Sequence, residues 1–351
     1  MTDCQTEAAL FGAMRAAFDR AAQAGATPAH TTTLALSGAP VALSIAGAGL
    51  AEQILLPFHH LRRDSAEDPP ALTIQMWDQG ETGVAFDPPP VDQELGPYGF
   101  VTASADGRYA VDLRPQSLGC LDRWENRIVW CTRSPAQMYV DERARPLHRL
   151  LSIWLRDRGV QFVHAGLVAR DGQGVLFVGA GGSGKTTSSI ACLCGGLGYL
   201  GDDFIGLEAG TNGAFIGHGL YATCLVEPDH LQRFPDLKAH ATAAHHASED
   251  KSVIYLSRRF PDRFLNAVKV RGIVLPRVVG SGATRYRAAT RKEALLSLAP
   301  SSIMLLPGAN KHAMTLLGDL VEALPAFWLE LGQDIAEIPG CVERLVQEVA
   351  A

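Results

Sequence analysis

The sequence is poor in cysteine, and the seven it has are odd in number and scattered. That excludes a disulfide framework and fits a reduced, cytoplasmic protein. Basic charge is also short: 31 Lys and Arg stand against 37 Asp and Glu, a formal net charge of −6. A nucleic-acid binder would usually carry a basic domain, so no nucleic-acid partner is expected. Long apolar runs are absent too. The longest uncharged stretch, Thr31 to Ala51, is broken by Thr, Ser, Gly and Pro40. It does not read as a membrane span, and no membrane partner is expected. The start carries Asp3 and Glu7 rather than a basic segment followed by an apolar one, so no secretory signal is expected. No internal repeat or low-complexity segment is present.

A hydrophobic share of 47% is that of an ordinary globular protein, and 351 residues suffice for two domains. Positions 1–150 read as an N-terminal α+β unit, serving in substrate recognition or assembly. Apolar residues recur with helical period at Leu10, Met14, Phe18 and Ala21. Thr33–Leu36 and Val41–Ile45 read as strands around a Gly-Ala-Pro turn, 49–61 as a helix, and Leu72–Trp77, Arg108–Leu113 and Arg127–Thr132 as strands. Between them, Phe86 to Asp92 is too proline-rich for a helix or central strand. It reads as a stiff connector or a peptide-contacting loop. A helix from Pro146 to Arg158 leads into the second part, 151–351. Its far end reads helix (292–298), helix (311–324), strand (326–331) and helix (339–349).

Chemistry enters with Gly179-Ala180-Gly181-Gly182-Ser183-Gly184-Lys185-Thr186, a complete phosphate-binding loop of the form G-x-x-x-x-G-K-[ST]. Val175–Val178 before it reads as a buried strand, and Thr187–Leu193 after it as a helix. The backbone N–H groups of Gly179, Gly181, Gly182, Ser183, Gly184, Lys185, Thr186 and Thr187 are the candidates to hold a nucleotide's phosphates. The helix N-terminus adds its partial positive charge. Lys185 would reach the β- and γ-phosphates, and the Thr186 hydroxyl would hold magnesium. ATP and Mg are therefore the expected cofactors, other nucleotides remaining open as donors. Adjacent pairs His59-His60 and His245-His246 point apart on any regular element and suit surface positions better than a metal site. For Cys192 and Cys194 on the loop helix, packing is the expected role.

Only a short helix, ending near Gly195-Gly196, separates the loop from Gly198-Tyr199-Leu200-Gly201-Asp202-Asp203. Upstream, 162–170 reads as one strand and Asp171–Gly174 as a tight turn, so a hairpin feeds the loop. This order, with His164 on the first strand and an acidic pair soon after the loop, resembles the HPr kinase/phosphorylase family of the phosphoenolpyruvate carboxykinase branch. The resemblance covers roughly 160–205 and continues as a bare pattern to about 345. It implies an α/β fold: a mixed-sheet P-loop kinase core of the HPr kinase/PEP carboxykinase type. It implies Asp202 as the general base, Asp203 with Thr186 as magnesium ligands, and His164 beside the γ-phosphate. Ala165 stands where that family usually has glycine. Glu227 has the spacing of the family's second magnesium ligand, but Pro228-Asp229 replaces the residues that should follow. A helix-entry role is as good for it. Lys251 and Arg277, flanking apolar strand runs, are candidates for a cationic lid.

The chain is similar in layout to diverged members that accompany peptide-modifying systems, including lasso-peptide kinases. A peptide or protein substrate offering a serine hydroxyl is thus the expected acceptor, with a small-molecule hydroxyl as alternative. A nucleotide-dependent switch or ATPase, with Asp202 merely positioning water, is the second class. A carboxykinase is disfavoured by the short chain. The oligomeric state is open, with room for a homo-oligomer.

Overall fold

The computed structural model describes residues 4–24, 29–64, 69–88, 90, 95–96, 98–242, 246, 250–304 and 311–350. The chain divides into two compact units, Met1–Trp154 with Ala243–Asp250, and Leu155–Thr242 with Lys251–Ala351. Both are mixed α/β structures. No described helix is long and apolar enough to cross a membrane.

The first unit is a mixed sheet, eight-stranded among the described residues. The helix Cys4–Ala24 covers one face, seating Phe11, Met14, Phe18 and Ala21 against Trp77, Val111, Cys120 and Val129. The first hairpin turns at Ser37-Gly38, both with positive φ (49° and 82°), and not at Gly-Ala-Pro. Ala39 and Pro40 are already in the returning strand. Such a two-residue turn matches the strand twist better than a wider one. The helix expected over 49–61 stops at Leu55, followed by a turn and the single 3-10 turn His59–Leu61. The helix expected from Pro146 begins at His148, because Leu147 takes φ 60°. Part of the proline-rich segment, including residues 89, 91 and 92, lies outside the described residues, as does His245.

The second unit is a three-layer α/β structure. At its centre run three parallel strands, Gln173–Phe177, Ala267–Val278 and Ala326–Leu331. Antiparallel strands complete a nine-stranded sheet among the described residues. Alternate residues of the central strands face opposite layers. Val175, Phe177, Val274 and Leu329 pack under the helices Lys185–Cys194 and Glu337–Ala350. Leu176, Ile273, Leu275 and Ala326 pack under Arg291–Met304 and Lys311–Ala323. Each such buried Val, Leu, Ile or Phe contributes about 1.5–3 kcal/mol of transfer free energy. These cores fix the loop at the carboxyl ends of the parallel strands, where open α/β sheets place their ligands.

Residues 162–170 are not one strand. Val160–His164 pairs with Phe204–Ala209, while Gly166–Arg170 pairs with Gln173–Phe177 and Gly198–Gly201. The break falls at Ala165, whose N–H donates to the carbonyl of Asp203 at 3.0 Å. The hairpin that feeds the loop is present: Asp171 and Gly172 form a two-residue turn, with φ of 51° and 76°.

Candidate active site

The strand Gln173–Phe177 ends in the glycine loop, and the helix starts at Lys185. Gly179, Gly182 and Gly184 take φ of 151°, 76° and 107°, values that side chains other than hydrogen resist. Gly184 carries a second constraint: a Cβ there would stand 2.5 Å from Leu331 Cδ1. There the loop lies against the end of the strand Ala326–Leu331. As N-cap, Gly184 offers no side chain to the first-turn N–H groups. Those donors are thus left to a ligand. Ser183 Oγ is buried without a hydrogen-bond partner. The orphaned hydroxyl and the uncapped amides fit a phosphate group.

Lys185 is buried and donates from Nζ to the carbonyls of Gly179 at 2.7 Å and Ala180 at 3.1 Å. Burial lowers its pKa, Asp202 partly restores it, and Lys251 lowers it further. Lys185, Asp202 and Lys251 therefore feel one another's charge. Thr186 and Thr187 follow in the first helical turn, half-buried. The helix closes at Cys194, with Gly196 at φ 97° and Leu197 N–H bonded to the Cys192 carbonyl, as the Gly195-Gly196 pair predicts. Cys192 is buried, but Cys194 is exposed, since residues two apart on a helix point apart.

The acidic pair occupies the turn between Gly198–Gly201 and Phe204–Ala209. Asp202 is buried, and its Oδ1 accepts the hydroxyl of Tyr199 at 3.0 Å. Tyr199 is itself fully buried, and burial, then Asp202, raises its pKa well above normal. The hydroxyl therefore stays protonated and acts as a donor. Asp203, partly exposed, accepts from His164 Nε2 through Oδ1 at 2.6 Å. The backbone N–H of His164 in turn donates to Ser302 Oγ at 3.1 Å. The sheet thus brings His164 and Asp203 together across the register pair His164↔Phe204. Gly166 is needed at the start of its strand: a Cβ would stand 2.3 Å from Ser189 Oγ. Neither Tyr199 nor Gly166 was assigned a role from the sequence. A lone hydroxyl in an apolar strand three residues before an acid was the available signal for Tyr199.

Two candidates sit differently. Glu227 precedes the four-residue helix Pro228–Leu231, half-exposed, with His230 Nδ1 at 3.9 Å. The described residues hold no group of three or more His, Cys, Asp or Glu that could by themselves bind a metal ion. Thr186 and Asp203, a hydroxyl and a carboxylate, have the oxygen chemistry magnesium takes. Arg277, a candidate for the cationic lid, sits on the strand Ala267–Val278, bonded to Glu330 and 5.0 Å from the Trp328 ring.

No family model matches the chain, and no curated protein matches it. Among solved structures, it is similar to the HPr(Ser) kinase/phosphatase from Coxiella burnetii, with 19% identity and a TM-score of 0.28. The likeness spans 54% of this chain and 95% of that one. At that score it bears no weight, and the function proposed below stands on the loop and its neighbours.

Proposed function

We propose that this protein is an ATP-dependent kinase that moves the γ-phosphoryl group to a hydroxyl, most suitably a serine of a peptide. The observation that carries it is the placing of the buried carboxylate of Asp202 beside the phosphate-loop helix: a Cβ on Gly166 would meet Ser189 of that helix at 2.3 Å and Asp202 Cα at 3.5 Å. A nucleotide-binding cation and a candidate base then share one site.

Lys185 exchanges the carbonyls of Gly179 and Ala180 for phosphate oxygens. The loop amides and the helix N-terminus neutralise the rest of the charge. Asp202 takes the proton of the acceptor hydroxyl while the hydroxyl oxygen bonds to the γ-phosphorus. The bond to the bridging oxygen breaks, and ADP leaves with the electron pair. Tyr199 donates to Oδ1 of Asp202 and holds the carboxylate in place. Magnesium, held by Thr186 and Asp203, would neutralise charge on the β- and γ-phosphates. Glu227 is kept as a third ligand only if nucleotide binding draws it in.

The test is incubation with magnesium, γ-labelled ATP and a panel of serine-containing peptides. Label on a peptide hydroxyl, lost by about 10²–10⁴-fold in Asp202→Asn while ATP binding persists, supports the assignment. Label released solely as phosphate, at a rate no peptide or small alcohol changes, would sink it in favour of a nucleotide switch.

A further inference from the structure

The carboxyl ends of Ala267–Val278 and Ala326–Leu331 carry a feature that phosphoryl transfer does not use. Glu330 is buried, yet three arginines converge on it. Arg285 Nε donates to Oε2 at 2.8 Å, Arg287 Nε to Oε1 at 3.1 Å, and Arg277 Nη2 to Oε1 as well. Arg277 and Arg287 also lie over the Trp328 ring, at 5.0 and 5.8 Å. The three guanidiniums are thus fixed by one carboxylate and one indole. Arg285, Arg277 and Arg287 hold that carboxyl down at about 2, so it stays ionised. Glu293, which accepts from Trp328 Nε1 at 3.1 Å and feels Arg287, is a second carboxylate beside the cluster, so three positive charges face two negative ones on a chain whose net charge is −6.

These arginines remain accessible. Their side chains are 77% (Arg285), 49% (Arg287) and 43% (Arg277) exposed. Neither terminal nitrogen of Arg285 has an acceptor among the described residues. A fork of this kind recognises carboxylate or phosphate in a fixed plane. Glu330 shows that the cluster accepts a carboxylate. Next along the chain, Val278 and Val279 are exposed as well, 61% and 41%. Apolar surface beside fixed cations suits a polypeptide better than a bare inorganic anion. The cluster lies at the carboxyl ends of the strands that border the loop, on the other face of the sheet: Pro276 and Leu331, which a Cβ on Gly184 would meet, alternate with Arg277 and Glu330.

We infer that Arg285, Arg287 and Arg277 form a docking platform for an acidic segment of the peptide acceptor, engaging its carboxylates at the sheet edge that also carries the phosphate loop. This rests on the peptide-kinase proposal for substrate identity, but binding can be read without transfer.

Two fluorescent serine peptides, one flanked by Asp and Glu and the other by Asn and Gln, are titrated with the nucleotide-free protein and followed by anisotropy. The acidic peptide is expected to bind more tightly. The double variant Arg285→Ala/Arg287→Ala should weaken it by about 10–100-fold, since a hydrogen bond to a charged group is worth about 1.5–3 kcal/mol. The neutral peptide should be unaffected. Arg285→Ala alone, which keeps two arginines on Glu330, should give an intermediate loss and guards against a folding defect. Equal binding of both peptides, or no loss in either variant, overturns the platform. So does displacement of the acidic peptide by low concentrations of inorganic phosphate, which would make the site one for phosphate. Arginine-dependent binding of a peptide that is never phosphorylated would keep the platform and discard the kinase. Phosphorylation indifferent to acidic flanks and to both variants would do the reverse.

Discussion

The hydroxyl of Tyr199 donates to Oδ1 of Asp202 at 3.0 Å, and both groups are buried. A buried carboxylate with one oxygen held in this way has a defined orientation. Tyr199 is therefore a positioning residue for the proposed base.

Tyr199→Phe removes that donor with little change in shape. The expected result is a fall in kcat of roughly 10-fold, the worth of one hydrogen bond to a charged group, with the KM for ATP unchanged. Steady-state kinetics separate the two. A rise in KM with kcat intact would instead mark Tyr199 as a packing residue.

His164 and Asp203 make a second test. If Asp203 binds magnesium, His164 orients it from behind, and removing such a partner costs about 10–100-fold in metal affinity or activity. His164→Ala should raise the magnesium concentration needed for half-maximal turnover without altering nucleotide binding in the absence of metal. An unchanged magnesium titration would remove Asp203 from the metal site.

Two glycines of the loop should respond differently. At Gly184 a Cβ would meet Leu331 at 2.5 Å and must adopt φ 107°. Gly184→Ala should cost about 1–3 kcal/mol for the backbone alone and abolish nucleotide binding. At Gly181 a Cβ meets nothing within 4 Å and φ is not in the left-handed range. Gly181→Ala should leave the melting temperature unchanged. Paired thermal melts of the two variants, with and without ATP, decide it.

The first unit carries a buried ionic cluster. Arg114 Nη1 donates to Asp141 Oδ2 at 2.7 Å, and Asp112 and Glu142 lie 3.5 and 3.8 Å from Arg114 Nε. Arg114→Met would leave three carboxylates without that partner and should destabilise the unit by about 3–5 kcal/mol, read by chemical denaturation. Burial alone would raise the Asp141 carboxyl, but Arg114 and His148 beside it bring it down to about 2. A depressed carboxyl adds stability above its unfolded pKa and loses it as pH falls toward the folded one. The stability gap between the wild type and Asp141→Asn should therefore narrow between about pH 5 and pH 2.

Much of the site was legible in order along the chain. Gly179 to Thr186 declares a phosphate loop because its glycines, lysine and threonine act through local backbone geometry. The Gly195-Gly196 cap and the Asp171-Gly172 turn are local in the same sense. Phe162 to Arg170 was misread because a continuous apolar run carries no mark of which neighbour each half will pair with. Nothing in local spacing signals that the charged Asp141, Glu142 and Arg143 of the helix Val140–Ala144 are buried.

The sequence by itself determined the phosphate loop, the acids that follow it and the strand–loop–helix frame, all set by neighbours a few residues apart. Tertiary structure alone decided that Tyr199 holds Asp202, that His164 meets Asp203, and that Arg277, Arg285 and Arg287 converge on Glu330. The last of these joins residues 43 to 53 positions apart. Such contacts depend on strand register and on which face of the sheet each side chain takes. Those are settled by how the whole core packs, and no local spacing encodes them.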